Sequence, residues 1–142
     1  MSTPKAEYKI SADSAREQIN SWLDYYGLDF ADIVIEDGKE AAETLMNTLV
    51  RAIQRGELEI SIEGDLEIIQ HLRFPVEGVG DKITYLDKTG NAKIAMGKEK
   101  NDQIRMLCFM GALCGIEAKH LKKMKGSDAT IRTRLATVFS MV

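Results

Sequence analysis

The spacing of apolar residues divides the chain into two helical regions separated by a stretch of alternating pattern. Ile19, Trp22, Leu23 and Tyr26 recur at the three- and four-residue steps of one helix face. Ser14 and Glu17 stand before them at capping-box spacing, which places the helix start there. Gly27 supplies the stop. A second helix is predicted from about Gly38 to Arg55. Ala41, Leu45, Leu49 and Ile53 form its i, i+4 stripe, joined by Ala42, Met46 and Ala52, and Gly56 ends it. Phe30 to Ile35 fits either a strand or an extra helical turn. Ahead of all this, residues 1–10 read as a polar arm in which Tyr8 and Ile10 are candidates for a short edge strand.

From Glu57 the period changes to two. Leu58, Ile60 and Ile62 alternate with Glu57, Glu59, Ser61 and Glu63, as in a half-buried strand. Gly64-Asp65 suits a two-residue hairpin loop, Leu66 to Phe74 a return strand, and Lys82 to Leu86 a third strand after a turn at Glu77–Asp81. Pro75 has no N–H for a ladder, so the return strand is expected to stop there or to lie at an edge. Residues 88–142 return to helical spacing. Ile104 to Cys114 is apolar nearly all round, which suits a helix central to a core or one in an oligomer contact. A short helix over Glu117–Met124 follows. A last one, capped by Ser127 or Asp128 and carrying Ile131, Leu135, Val138 and Phe139 on one face, runs through Phe139. The expected fold class is α+β, a three-stranded antiparallel meander packed by four or five helices. Residues 1–56 form either a separate lobe or part of the same domain as residues 57–142.

Composition changes this picture little. The 142 residues are 44% hydrophobic and 29% charged, ordinary for a globular chain. No apolar run approaches a membrane span, and Met1 to Ile10 lacks the character of a signal peptide, so a cytoplasmic location is expected. Cys108 and Cys114, about 240° apart around one helix, are expected to be buried free thiols. Charge is more informative. Residues 1–67 carry 15 acidic and 6 basic side chains, a net of −9, whereas residues 68–142 carry 7 acidic and 13 basic, a net of +6. Such polarity can steer partners or favour head-to-tail self-association.

Catalytic patterns are missing. Two histidines, His71 and His120, stand far apart in different elements; His71 reads as a surface or satisfied sheet residue and His120 as a solvated one. No Cys-x-x-Cys or His-Glu-x-x-His occurs, so neither metal nor other cofactor is expected. Gly78-Val-Gly80 lacks the lysine and following helix of a phosphate loop and reads as a turn. Glu36, Asp37, Glu40 and Glu43 crowd one helix start, where carboxylates complement the helix dipole. The methionines Met96, Met106, Met110, Met124 and Met141 suit either core filling or an adaptable partner surface. The chain is therefore expected to act by binding rather than catalysis.

Two binding modes can be read. Ile116 to Met124, a turn at Lys125-Gly126-Ser127, and Asp128 to Phe139 have the outline of a helix-turn-helix, with Lys119, Lys122, Lys123, Lys125, Arg132 and Arg134 as phosphate-contacting candidates. The acidity of the whole chain makes nucleic acid the lesser expectation. The second mode comes from the motifs of residues 66–142. Leu72-Arg-Phe-Pro75 is followed by a glycine-containing turn and Ile83-Thr-Tyr-Leu86 leading to Lys88-Thr89-Gly90. Then come the apolar helix Ile104–Cys114, a break at Cys114-Gly115-Ile116, and Asp128 before the final helix. This half of the chain resembles the tail assembly chaperones of contractile-tailed and Mu-like phages, although Lys88 stands where that family usually has proline and residues 1–56 have no counterpart. The resemblance implies a non-catalytic holdase in the host cytoplasm that coats the tape-measure protein or other tail components and is absent from the finished particle. Its candidate contact residues are Met106, Phe109, Met110, Leu113, Ile131, Leu135 and Phe139, which fit a core equally well. A homo-oligomer or a structural virion component is a further expectation.

Overall fold

A computed structural model describes residues 10–97 and 99–142. Seven helices and three strands follow in the order α1 (Ala12–Tyr25), α2 (Phe30–Asp37), α3 (Lys39–Gln54), β1 (Leu58–Ser61), β2 (Glu67–Val76), β3 (Gly80–Leu86), α4 (Thr89–Met96), α5 (Asp102–Cys114), α6 (Ala118–Leu121) and α7 (Gly126–Ser140). The fold is α+β, with seven helices against the four or five expected; α2 resolves the open Phe30–Ile35 segment and α4 is an addition. Of the expected N-terminal edge strand, Tyr8 lies outside the described residues, and Ile10 is a bend whose carbonyl accepts from Gln54 Nε2.

Local chemistry explains several boundaries. The cap of α1 is Ser11, three residues earlier than Ser14, and its hydroxyl accepts the Ser14 N–H at 3.1 Å. α2 settles the ambiguous Phe30–Ile35 segment as helix. Asp29 accepts the Asp32 N–H while Asp32 accepts the Asp29 N–H, a reciprocal box built with aspartate instead of the usual Glu or Gln. In α3 the buried stripe is Ala42, Leu45, Met46, Leu49, Val50, Ala52 and Ile53, and Ala41 is exposed.

The sheet has the order β1-β2-β3, all antiparallel. Ser61 pairs with Glu67, so the first hairpin loop is residues 62–66 rather than Gly64-Asp65 alone. Leu58, Ile68, Gln70, Leu72, Ile83 and Tyr85 share the covered face and are buried. The opposite face is open, with Glu59 bonded to His71 at 2.8 Å and Glu57 to Arg73 at 2.6 Å. β2 runs past Pro75 to Val76 instead of stopping there, the first of the two expectations. The β1 ladder has already stopped at Gln70, and the β3 ladder is irregular between His71 and Val76, so Pro75 removes no ladder bond.

The buried carboxylate of Asp128 replaces the missing ladder there. Its Oδ1 accepts the Arg73 N–H and its Oδ2 the Phe74 N–H, both at 2.9 Å. Asp128 was expected to cap the last helix, but α7 begins at Gly126 with no side-chain cap, and Asp128 faces inward from its first turn. Its backbone carbonyl also accepts from Gln70 Nε2 at 2.8 Å, and Gln70 Oε1 accepts from Tyr85 Oη at 2.9 Å. This chain of bonds ties β3, β2 and α7 through the core, and burial holds the Tyr85 phenol well above its ordinary pKa.

The N-terminal helices share that core. α1 and α2 pack on α3, which packs on α7 and β1, and Trp22 meets Phe139 edge-on with ring centres 5.1 Å apart. On the exposed side of α1, Tyr25 and Tyr26 each donate a hydroxyl to Asp87 at 3.0 Å, pinning the helix to the end of β3.

His120 is more enclosed than a solvated residue, because its ring lies under the β2–β3 turn. Gly78 has φ +86°, and a Cβ there would sit 2.7 Å from His120 Cγ. Gly78→Ala is expected to cost about 1–3 kcal/mol from left-handed strain and this clash together. Chemical denaturation of Gly78→Ala with and without His120→Ala separates the two, since only the clash is relieved by the second change.

Candidate partner-binding cleft

α5 is apolar on more sides than its neighbours cover. Asn101 starts it by accepting the N–H groups of Gln103 and Ile104 at 3.0 and 3.1 Å, and Gly115, at φ +72°, ends it. Phe109, Met110 and Leu113 are buried. The chain then reverses tightly: Gly115 and Ile116 both donate backbone N–H groups to the Gly111 carbonyl, and a Cβ on Gly111 would strike the Ile116 carbonyl. This reversal folds α6 back against α5 and leaves Ile104 exposed and Met106 and Leu107 half-buried on α5.

A cleft of about 490 Å³ lies between that side and α7. Ile104, Met106, Leu107 and Met110 form its apolar part, and Ala136 and Thr133 of α7 face them. Lys122 and Arg132 add positive charge. Lys122 is exposed, whereas Arg132 is half-buried and donates Nη1 to the Leu121 carbonyl at 2.7 Å. Burial lowers the Arg132 pKa from its ordinary value, and the nearby Tyr85 phenol opposes that shift. The arrangement can receive an apolar side chain flanked by carboxylates. Ile104, at the N-terminal end of the cleft, is 40% exposed.

The candidate residues separate into two groups. Phe109, Leu113, Ile131, Leu135 and Phe139 are buried core, as is most of Met110, whose remaining surface lies in the cleft. These residues are not an exposed contact patch, because they fill the space between α1, α3, α7 and the sheet. Met106 alone of the seven is half-exposed. Of the other methionines, Met124 is buried and Met96 and Met141 are half-buried. Ile104, Leu107, Thr133 and Ala136 are additional lining residues. The all-round apolarity of α5 signalled the first two, and nothing local signalled the others.

The six basic candidates do not form one face. Lys119 lies 3.4 Å from Glu117, Lys125 sits over the Phe74 ring, and Lys123 is exposed. Arg134 points to the opposite flank of α7, into a hollow it shares with Asp37, Lys39 and Glu40. α6 is one turn long, shorter than the Glu117–Met124 helix expected.

Cys108 and Cys114 are free and half-buried rather than fully buried. Burial pushes the Cys114 thiol up to about 11, partly offset by nearby backbone hydrogen bonding, and its Sγ leans on the Met110 carbonyl at 3.2 Å. Among the described residues, no three His, Cys, Asp or Glu side chains converge as a metal site would require, and no helix is long and apolar enough to cross a membrane. Comparison with family models, curated proteins and solved structures finds no match to this chain.

Proposed function

We propose that this chain is a non-catalytic assembly chaperone of the phage-tail type, which holds an amphipathic helical segment of the tape-measure protein or another tail component in the α5–α7 cleft. The single observation carrying this reading is the cleft itself: an apolar side of α5 left open beside two cations. Helix-in-groove recognition uses such a surface, with apolar anchors fixing the segment and charge fixing its orientation. The helix-turn-helix reading is weaker. A recognition helix must present its N-terminal turn to a groove, whereas α7 is clamped to β2 through Asp128 in its first turn and packs on α3 and β2.

The test is co-expression with a tape-measure fragment from the same phage. The unaltered chain should co-purify with it, and Met106→Glu should weaken the complex by about tenfold or more while leaving the denaturation midpoint nearly unchanged. Equal retention by Met106→Glu would contradict the assignment of the cleft. Presence of the chain in finished particles would contradict the chaperone role. Binding to random duplex DNA that falls steeply with salt would instead restore the nucleic-acid reading.

A further inference from the structure

The cleft has a matching ligand on the same chain. Ile35 near the end of α2 is 82% exposed, more than Tyr25, Phe74, Ile94 or Ile104. Glu36, Asp37 and Glu40 follow it, three carboxylates against the single cation Lys39, and all are exposed. An apolar side chain set among carboxylates is the complement of an apolar cleft set among cations. We propose that the Ile35 corner of one copy docks into the α5–α7 cleft of a second copy. Ile35 lies against Met106 and Leu107, and the carboxylates of Glu36 and Glu40 face Lys122 and Arg132.

The placement of the two surfaces makes the contact head-to-tail. Arg132 and Thr133 face the cleft, whereas Arg134 faces the hollow it shares with Asp37 and Glu40. Positions 132 and 134 are about 200° apart around α7. The hollow holding Asp37 and Glu40 and the cleft therefore open on different flanks of that helix, so the docking is between molecules. The contact joins two different patches, so it propagates to rings or chains instead of stopping at a symmetric dimer. The −9 and +6 charge halves orient the encounter, and salt screens it. Self-docking covers the partner site while no partner is present, so self-association and partner capture compete. This inference rests on the cleft being a docking surface, but it needs no particular assembly partner.

Sedimentation velocity on the full chain tests it. Association should be present at low salt, weaken at high salt, and fall about tenfold or more in Ile35→Asp and separately in Lys122→Glu. Both changes are at exposed positions, and matching denaturation midpoints establish that the variants fold. Ile35→Asp keeps an intact cleft, and Lys122→Glu keeps an intact α2 corner. An equimolar mixture of the two should restore a complex that stops at a heterodimer. A wild-type chain that stays monomeric at low salt would overturn the inference, as would an Ile35→Asp variant that associates unchanged or a mixture that fails to pair. A monomeric chain that still retains the tape-measure fragment would overturn self-docking alone. A self-associating chain that ignores the fragment would overturn the proposed function alone.

Discussion

Replacing Asp128 with alanine is expected to lower the unfolding free energy by about 2–4 kcal/mol. Two backbone donors, the N–H groups of Arg73 and Phe74, lose their acceptor at once. Each orphaned donor costs about 1–3 kcal/mol when buried, and both sites are partly open to water, which favours the lower half of that range. The loss is large against a typical stability of about 5–15 kcal/mol. Asp128→Asn keeps one acceptor but turns an amide donor toward the second N–H, so it should recover only part of the loss. Urea titration checks this: the midpoint should fall in both variants with the slope preserved. A change below about 1 kcal/mol in Asp128→Ala would mean that water replaces the carboxylate without penalty.

Phe139→Ala is expected to cost about 3–5 kcal/mol, the usual range for a fully buried phenylalanine. Phe139 meets Trp22 at 5.1 Å and Tyr85 at 6.4 Å, so its removal opens the joint between α1 and the sheet. Trp22 is the only tryptophan, and its emission reports on that joint directly. In the wild type, tryptophan fluorescence and far-UV circular dichroism should melt together, because one core serves both halves of the chain. A fluorescence transition that clearly precedes the loss of helix would mean that α1–α3 unfold as a separate lobe. Phe139→Ala and Met106→Glu thus make a useful pair, the first costing stability and the second costing partner affinity.

Much of the fold was legible because it is local. The helical stripes of α1, α3 and α7, the alternation in β1 and the turn at Gly78 were all visible in the residue pattern. The errors arose where a local signal had a competitor or where the partner was remote. Ser14 looked like a cap because Glu17 stood three residues on, but Ser11 took that role. α2 was ambiguous because its capping box uses two aspartates. Pro75 reads as the end of a strand or an edge position because nothing near it in sequence shows that Asp128, more than fifty residues away, accepts the neighbouring N–H groups.

The site was half legible for a related reason. The composition of α5 showed that it had more apolar surface than one interface needs, but not which side its neighbours would leave uncovered. That depends on the tight reversal at Gly111 and Gly115, which places α6 and α7. Most of the apolar contact candidates accordingly lie in the core. Among the phosphate-contacting candidates, Arg132 and Arg134 line different hollows on α7, which the residue types alone do not show.

The most direct test of the cleft is site-specific photo-cross-linking, with a photoreactive side chain placed at Leu107 on α5 or at Lys82 on the open face of the sheet. In the presence of the tape-measure fragment, the Leu107 probe should give a covalent adduct and the Lys82 probe should not. An adduct at Lys82 with none at Leu107 would place the partner on the sheet and contradict the account.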